Sequence, residues 1–395
     1  MKTFSLALLA MLVALPAAAQ PAPPATLRPL LQKLRGSFDQ HRATLGAADD
    51  LTTVKHRLRD WVESELASAP PTVDTRALAA GFYIALRDAD LLCHEMLGEC
   101  ATNFVGYVDA VRVNRAADYL TVVTAVGINC GYDESAYAYA WQNGRWQRFW
   151  ESEQNTYTEE GYRPQEVHDV LISAAAADGH RLLATLGSQS GCTGGFKDLY
   201  AGAWRLGTAL SPTRVLDWKA YANDGYPPIQ GRLRSDDLVV QYTAGGLADG
   251  ETHTAVRHFV VQGGAAVQVD PIAGRPHDFV LEWLSAPWEE SRTRATSDAL
   301  KDAHAELHLE HPYGDFPEST LRCTAAENLW QVATRVFEGP LRYYRVRWED
   351  PLRFTMVSVS AMPFPDCTVA DPRSEAYPPF LDRDLLPGPD AAEPR

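Results

Sequence analysis

The sequence has 395 residues and carries 36 basic against 51 acidic side chains, a formal net charge of −15. This balance argues against nucleic-acid binding and against docking on anionic lipid, because phosphate recognition needs clustered Lys and Arg and no basic stripe is visible. The length suffices for one large domain or two ordinary ones.

The opening residues, MKTFSLALLAMLVALPAAAQ, predict an export signal. Lys2 precedes an apolar run to Leu15, and the alanines at 17–19 supply the small side chains that signal peptidase requires. We expect residues 1–19 to be removed and the mature chain to begin near Gln20, in the periplasm or outside the cell. No segment is long and apolar enough to predict a membrane span.

Residues 20–100 predict a Pro-rich leader followed by a helical region. A first helix is expected to stop at Pro70-Pro71, and a second to begin after Asp74, which can cap it. The apolar residues at helical spacing in the first helix are Leu51, Val54, Leu58, Trp61, Val62 and Leu66.

Residues 101–284 predict a repeated antiparallel β body, because the apolar period changes to two. Strands are expected over 119–127, 135–141 and 146–150, and further hairpins over 232–242 and 255–269.

A Tyr-x-x-x-Trp pattern recurs at 137–141, 200–204 and 344–348, the first two times shortly after a cysteine. Such repeats predict a mainly β fold of antiparallel four-stranded units, propeller-like, preceded by the α-helical region. A twisted β-sandwich is the alternative architecture.

The remaining chain predicts two segments. Residues 285–370 are expected to form a helical connector and a C-terminal β unit that includes 354–360. Residues 371–395 are Pro-rich and acidic, a composition typical of a disordered tail.

Six cysteines in an exported chain predict disulfides, although six cysteines allow 15 pairings. We expect neighbours in sequence to pair, so that the bonds are Cys93–Cys100, Cys130–Cys192 and Cys323–Cys367. The alternative is that one or two are buried free thiols. There is no CxxC redox or zinc motif.

The stretch WQNGRWQRFW, which follows AYAYA, predicts a hairpin around Asn143-Gly144. An uninterrupted register pairs Trp141 with Trp146, Tyr139 with Arg148 and Tyr137 with Trp150, with all six side chains on one face. The opposite face carries the alanines at 136, 138 and 140.

Two interpretations of this aromatic face remain open. Recurrence of Tyr-x-x-x-Trp favours packing, since repeats share core positions more often than ligand contacts. The alternative is a platform on which sugar rings, aromatic ligands or a peptide stack, with Arg148 adding cation–π and hydrogen-bonding capacity.

The segment AHAELHLEH suggests a metal site at His304 and His308, with Glu306, Glu310 and His311 close by. Imidazole and carboxylate suit zinc on either helical or strand geometry. The alternative is a solvated polar face, and no cofactor is predicted from the pattern.

Other chemical patterns are incomplete. The loop 187–195, GSQSGCTGG, lacks the central serine of a nucleophile elbow and predicts a flexible connection, or else a loop that binds anions through backbone amides. Carboxylate pairs such as Asp133-Glu134 are of the kind that glycosidases use, but the net charge favours their being surface acids. We predict no catalytic residue.

The segment RPHDFVLEWLSAPWEES (275–291), the cysteine-then-Tyr-x-x-x-Trp units and the FTMVSV strand together resemble exported bacterial proteins without an assigned function. The resemblance covers most of the mature chain and implies no active residues.

These patterns predict an exported binding or scaffolding protein of the cell envelope, whose ligand is an unknown small molecule, glycan or protein. The alternative is a periplasmic hydrolase that acts on glycans or uses a metal near His304 and His308.

Overall fold

A computed structural model describes residues 25–38, 45–93, 105–116, 118–128, 131–155, 164–190, 196–207, 210–223, 229–245, 252–307, 317–334, 341–349 and 353–370. The predicted signal segment and the predicted tail lie outside these residues. Within them, no helix has both the length and the apolar character needed to cross a membrane.

Three N-terminal helices precede the first strand. Their bounds are α1 Leu27–Phe38, α2 Leu45–Ser68 and α3 Thr75–Asp88. As predicted, α2 ends just before Pro70, and Asp74 caps α3 by accepting hydrogen bonds from the backbone amides of Arg76 (2.9 Å) and Ala77 (3.4 Å). The cap satisfies amides that a helix start otherwise leaves unpaired.

Antiparallel sheets make up most of the remaining described chain. Sheet I contains β1 Val108–Ala116, β2 Tyr119–Ile128, β3 Gly131–Gln142 and β4 Arg145–Ser152. Sheet II contains β5 Gln165–Ile172, β6 Arg181–Ser190, β7 Phe196–Leu206 and β8 Pro212–Asn223. Sheet III contains β9 Gln230–Leu233, β10 Asp237–Gly245, β11 Thr252–Gln262 and β12 Ala265–Val269. Sheet IV contains β13 Pro317–Cys323, β14 Leu329–Thr334, β15 Arg342–Glu349, β16 Arg353–Ser360 and β17 Cys367–Val369.

The prediction of a mainly β fold built from propeller-like antiparallel four-stranded units is confirmed. In sheets I, II and III the strands lie side by side in chain order. Sheet IV adds β17 beyond β13, which gives the order β16-β15-β14-β13-β17. The hairpins predicted over 232–242 and 255–269 correspond to β9–β10 and β11–β12.

Each of the first three sheets packs against a neighbouring layer on both faces. On β3, Tyr137 and Tyr139 pack into a core shared with α1–α3, whereas Ala136 and Ala138 pack into a core shared with sheet II. The same alternation on β10 sends Val240 toward sheet II and its neighbour Val239 to the opposite side. Because strand side chains alternate, one strand serves two cores. The layers follow in the order helices, sheet I, sheet II, sheet III.

Helix α4, Pro276–Ser285, continues this series between sheets III and IV. Phe279, Val280 and Trp283 are fully buried there, and Phe279 stacks on Phe354 of sheet IV with ring centroids 5.4 Å apart. The helix begins nine residues before the predicted connector at 285. Residues 276–284 are all buried, including the polar His277, Asp278 and Glu282, so the helix lacks the solvent-exposed polar face that identifies a surface helix from sequence. After α4 come α5 Trp288–Ser291, two short 3-10 helices and α6 Lys301–Leu307.

The predicted register of the aromatic hairpin is correct near its turn and wrong beyond it. Trp141 pairs with Trp146 and Tyr139 with Arg148, but a β-bulge follows, so that Trp150 lies opposite Ala138 instead of Tyr137. A bulge inserts one extra residue and turns every later side chain to the other face. Trp150 therefore joins the alanines and packs toward sheet II.

One predicted disulfide is confirmed. Cys323 and Cys367 are bonded and join β13 to β17 at the edge of sheet IV. Cys93 is also disulfide-bonded, and its predicted partner Cys100 lies outside the described residues. Cys130 and Cys192 lie outside them as well.

A buried ion pair joins the helical layer to sheet I. The Nζ of Lys55 on α2 lies 2.8 Å from Oδ1 of Asp133 on β3, and the two side chains are 1% and 0% exposed. Lys55 also donates to the backbone carbonyl of Gln154. Because a buried charge is tolerated only with a partner, this contact fixes where α2 docks on the sheet.

We predict that Lys55→Met lowers the free energy of unfolding by about 3–5 kcal/mol, because the buried Asp133 loses the ammonium group that lies 2.8 Å from it. Urea denaturation measures the loss. The matched control is Lys33→Met, which breaks the Lys33–Asp50 pair (2.7 Å) at a lysine whose side chain is 68% exposed. A loss of about 1 kcal/mol or less is expected for the control. Equal losses in the two variants would contradict the role of the buried pair.

A second buried charge network attaches α4 to sheet III. Glu282 accepts from His253 Nε2 (2.8 Å) and pairs with Arg257 (2.7 Å), while Arg275 pairs with Asp278 (2.8 Å). Burial alone would raise the pKa of Asp278, but the neighbouring His277 and Arg275 lower it to about 2.

Burial also lowers the pKa of His277 below its ordinary value, although Asp278 opposes the shift. A folded-state pKa below the unfolded value of about 6.5 means that the unfolded chain takes up this proton first. The stability associated with neutral His277 is therefore present above about pH 6.5 and is lost as the pH falls through that value.

We predict that the wild type loses more unfolding free energy than His277→Gln between about pH 7.5 and about pH 5.5. Urea denaturation at a series of pH values measures both proteins. The reason is that the variant has no imidazole at this position for the unfolded chain to protonate. Parallel pH profiles for the two proteins would show that His277 does not titrate on unfolding.

Candidate functional site

The face of sheet II that is turned toward sheet I holds a cavity of about 220 Å³ beside the end of β4. The cavity is lined by alternate residues of β7, by the facing residues of β8 and by the neighbouring strand ends. Its lining side chains include Ser152, Gln165, Thr185, Gln189, Asp198, Tyr200, Trp204, Arg214, Asp217 and Lys219.

Two glycines make room for the aromatic rings of this cavity. A Cβ on Gly202 would lie 2.6 Å from Cη2 of Trp204, and a Cβ on Gly187 would lie 2.1 Å from Oη of Tyr200. Both distances are too short for any other residue type. The cavity therefore depends on close approach of the rings to bare backbone.

Trp204 is held in place from several sides. Its ring makes an edge contact with Trp150 of sheet I, with centroids 5.0 Å apart, and the Arg214 guanidinium lies 5.8 Å from its centroid. Arg214 is fixed in turn by Asp217 at 2.6 Å. Trp204 itself is only partly buried. The cavity thus has a positioned aromatic ring that is still open to a ligand.

Polar groups surround that ring. Gln165 Nε2 donates to Ser152 Oγ (3.2 Å), and Gln189 Nε2 donates to Gln154 Oε1 (3.3 Å). Thr185 is 2% exposed, and its hydroxyl has no hydrogen-bond partner among the described residues. An unpaired buried hydroxyl is destabilising unless water or a ligand satisfies it.

A cluster of ionisable groups adjoins the cavity at the start of β3 and β5. Glu134 accepts from the guanidinium of Arg112 (2.8 Å) and from the amide of Val167 (2.6 Å). Burial raises the pKa of Glu134, Arg112 and the Val167 amide oppose the increase, and the negative charge of Glu166 adds to it. The cluster touches the cavity through Tyr200, whose hydroxyl donates to the carbonyl of Glu166 (3.1 Å).

Glu166 belongs to a hydrogen-bonded chain with Ser188 and His168. Ser188 Oγ lies 2.9 Å from Glu166 Oε2 and 2.9 Å from His168 Nε2. Burial lowers the pKa of His168, which favours its neutral form. Since a carboxylate only accepts, the consistent arrangement has His168 donating to Ser188 and Ser188 donating to Glu166. Ser188 is fully buried, so this chain can relay a proton but presents no accessible serine nucleophile.

The sequence interpretation of Asp133 and Glu134 as surface acids is wrong. Asp133 is fully buried against Lys55, and Glu134 has a side chain only 14% exposed against Arg112. Their partner cations lie on other elements, 78 and 22 residues away. Net charge could not reveal that pairing.

The loop predicted over 187–195 is partly strand. β6 continues to Ser190, and its Gly187 and Ser188 serve the cavity and the proton relay. Residues 191–195 lie outside the described part of the chain. The prediction of a flexible connection is therefore wrong for Gly187 and Ser188, because both lie within β6.

The aromatic residues proposed as a ligand platform lie mostly inside the protein. Tyr137, Tyr139, Trp146 and Trp150 are at most 6% exposed, and the first three pack with the N-terminal helices. Trp141 is partly buried beside Trp146, with centroids 5.4 Å apart.

Arg148 is engaged at the surface of the same hairpin. It pairs with Glu151 (2.8 Å) and Glu63 (3.4 Å) and lies 5.9 Å from the Tyr137 ring. The aromatic face of the hairpin therefore packs mainly against the N-terminal helices. A stacking role stays a prediction only for its exposed margin, Trp141 and Arg148.

His304 is buried between aromatic rings rather than on a polar face. Its Nε2 lies 3.0 Å from the carbonyl of Trp283 and 3.1 Å from that of Ala286, so this nitrogen donates. His308 lies outside the described residues. Within those residues, three or more potential metal-ligand side chains come close together only at Cys323, Asp366 and Cys367, where the two sulfurs form the disulfide. A metal at His304 and His308 stays a prediction.

No protein-family model matches this sequence, and no curated protein matches it. Solved structures with limited similarity include a family-32 β-fructofuranosidase from Bombyx mori, at 9% identity and a TM-score of 0.24. That match covers 60% of this chain and 47% of the other, so the chain spans about half of that enzyme's length.

Two further similar structures are glycoside hydrolases by description. A thermostable family-43 glycoside hydrolase shows 10% identity, 71% and 83% coverage and a TM-score of 0.23. An endo-1,4-β-xylanase from Bacteroides thetaiotaomicron shows 9% identity, 68% and 80% coverage and a TM-score of 0.22. At these scores the similarities assign no activity to this chain.

Proposed function

We propose that the protein is an exported carbohydrate-binding protein whose ligand lies in the cavity on sheet II. The observation that carries the proposal is the partly open Trp204 ring at a cavity whose lining also includes carboxylates, amides, hydroxyl groups and cations. Sugars have C–H faces that stack on aromatic rings and hydroxyls that both donate and accept. The lining offers both kinds of contact.

The preformed geometry of the cavity supports binding. The Trp204 ring is positioned by Trp150 and Arg214 before any ligand arrives, and the glycines beneath the rings hold no side chain that must move. A rigid site loses little conformational entropy on binding. The unpaired Thr185 hydroxyl gives a bound hydroxyl group a partner.

The expected location of the protein and the presence of the cavity both agree with carbohydrate binding. The predicted signal segment places the protein in the periplasm or outside the cell, where glycans are accessible. A purely scaffolding role would leave the cavity and its fixed tryptophan without a purpose.

We predict that Trp204→Ala weakens glycan binding about tenfold or more, because stacking on the ring is lost. A glycan array identifies the ligand, and calorimetry measures the affinities. Trp141→Ala is the matched control, since Trp141 is the partly exposed tryptophan of the hairpin platform. Loss of binding only in Trp141→Ala would contradict the cavity and support the platform. Absence of binding to any glycan would contradict the proposed function.

Hydrolysis of the bound glycan is the second candidate function, and the ionisable cluster favours it. Glu134 has a raised pKa, as a general acid requires, and the charge of Glu166 contributes to that shift. The hydrogen-bonded His168–Ser188–Glu166 chain brings further ionisable groups close to Glu134.

If the protein hydrolyses its ligand, Glu134→Gln should abolish the release of reducing ends while the affinity for the glycan is retained. Glutamine keeps the shape of the side chain but cannot donate the carboxyl proton. A reducing-end assay on the array-identified glycan measures the rate. Unchanged release in the variant would exclude Glu134 as the acid, and no release by the wild type would leave binding as the function.

A further inference from the structure

We infer that the bound carbohydrate is acidic, an oligosaccharide that carries carboxylate groups, and that Lys219 recognises one of them. This inference rests on the proposed function and names the class of ligand.

Most of the cavity's charges are already engaged within the protein. Arg214 and Asp217 form an ion pair at 2.6 Å, and Asp198 takes part in a further interaction of its own. Lys219 is exposed, and no carboxylate lies within ion-pairing distance of it in the described part of the chain. Its ammonium group is therefore available to a ligand.

The register of β7 and β8 places this ammonium beyond the aromatic ring. Trp204 lies opposite Arg214, Gly202 opposite Asp217, and Tyr200 opposite Lys219. Four residues along a strand span about 13 Å. An oligosaccharide that extends from Trp204 along the two strands therefore reaches Tyr200 and Lys219. Lys219 then contacts a carboxylate on a sugar unit beyond the one that stacks on Trp204. The ligand must therefore have more than one sugar unit.

The overall charge of the protein makes a local cation necessary for such a ligand. At a net charge of −15 the protein repels polyanions at long range, so an acidic glycan binds only where a nearby cation offsets the repulsion. Exposed charges interact over about 10 Å at about 0.1 M salt. Within that distance Lys219 acts on a ligand in the cavity, and the interaction weakens as salt is added.

The test uses tetragalacturonate and its fully methyl-esterified form, which has the same sugar chain without the negative charges. Calorimetry should show that the wild type binds the acid about tenfold more tightly than the ester. Lys219→Met should remove most of that difference by weakening the acid alone. The matched control is Lys301→Met, an exposed lysine on α6, which should change neither affinity. Melting temperatures confirm that both variants fold.

Three results would overturn the inference. The first is that the wild type binds the acid and the ester equally. The second is that Lys219→Met still prefers the acid to the ester as strongly as the wild type does. The third is that Trp204-dependent binding on the array is found for neutral glycans alone. Each of these leaves the proposed carbohydrate-binding function standing. If neither tetrasaccharide binds and the array shows no Trp204-dependent ligand, the proposed function fails with the inference.

Discussion

The packing of sheets I, II and III against neighbouring layers on both faces is the constraint on which the rest of the structure depends. Inner strands such as β3 and β10 contribute side chains to two cores, so large and small residues must be divided between the faces. On β3 the tyrosines fill the wide space beneath the helices, and the alanines allow close approach to sheet II. The helices are needed because the aromatic face of sheet I would otherwise be exposed to solvent.

Buried charges complete this arrangement at the points where layers of different type meet. Lys55 with Asp133 connects a helix to sheet I, and Glu282 with Arg257 and His253 connects α4 to sheet III. Each pair is formed by residues far apart in sequence. Such pairs restrict the docking of layers to one position, because a shifted layer would leave a charge buried without its partner.

The cavity lies beside the end of β4, on the face of sheet II that is turned toward sheet I. On β8 this face carries the exposed residues Arg214, Asp217 and Lys219. Trp150 and Trp204 mark the boundary, since they pack together across the two sheets. The β-bulge that turns Trp150 toward sheet II thus contributes directly to the position of Trp204.

Local sequence signals predicted the elements but could not predict their partners. Asn143-Gly144, Asp74 and the period-two runs identify turns, a helix cap and strands, because each signal acts within a few residues. The bulge opposite Ala138 and Tyr139, the fully packed helix α4 and the partners of Glu134 depend on the packing of distant layers. The tryptophan cluster at 141–150 suggests a ligand surface from sequence alone, because the helices and sheet II that cover Trp146 and Trp150 lie far away in the chain. The cavity tryptophan, Trp204, was visible only as one member of a repeat.

The most direct test of the account is a crystal structure of the protein with the oligosaccharide that binds it most tightly on the array. The account predicts a sugar ring stacked on Trp204, with the chain running along β7 and β8 toward Tyr200. A sugar bound at Trp141 and Arg148, with the sheet II cavity free of ligand, would contradict it.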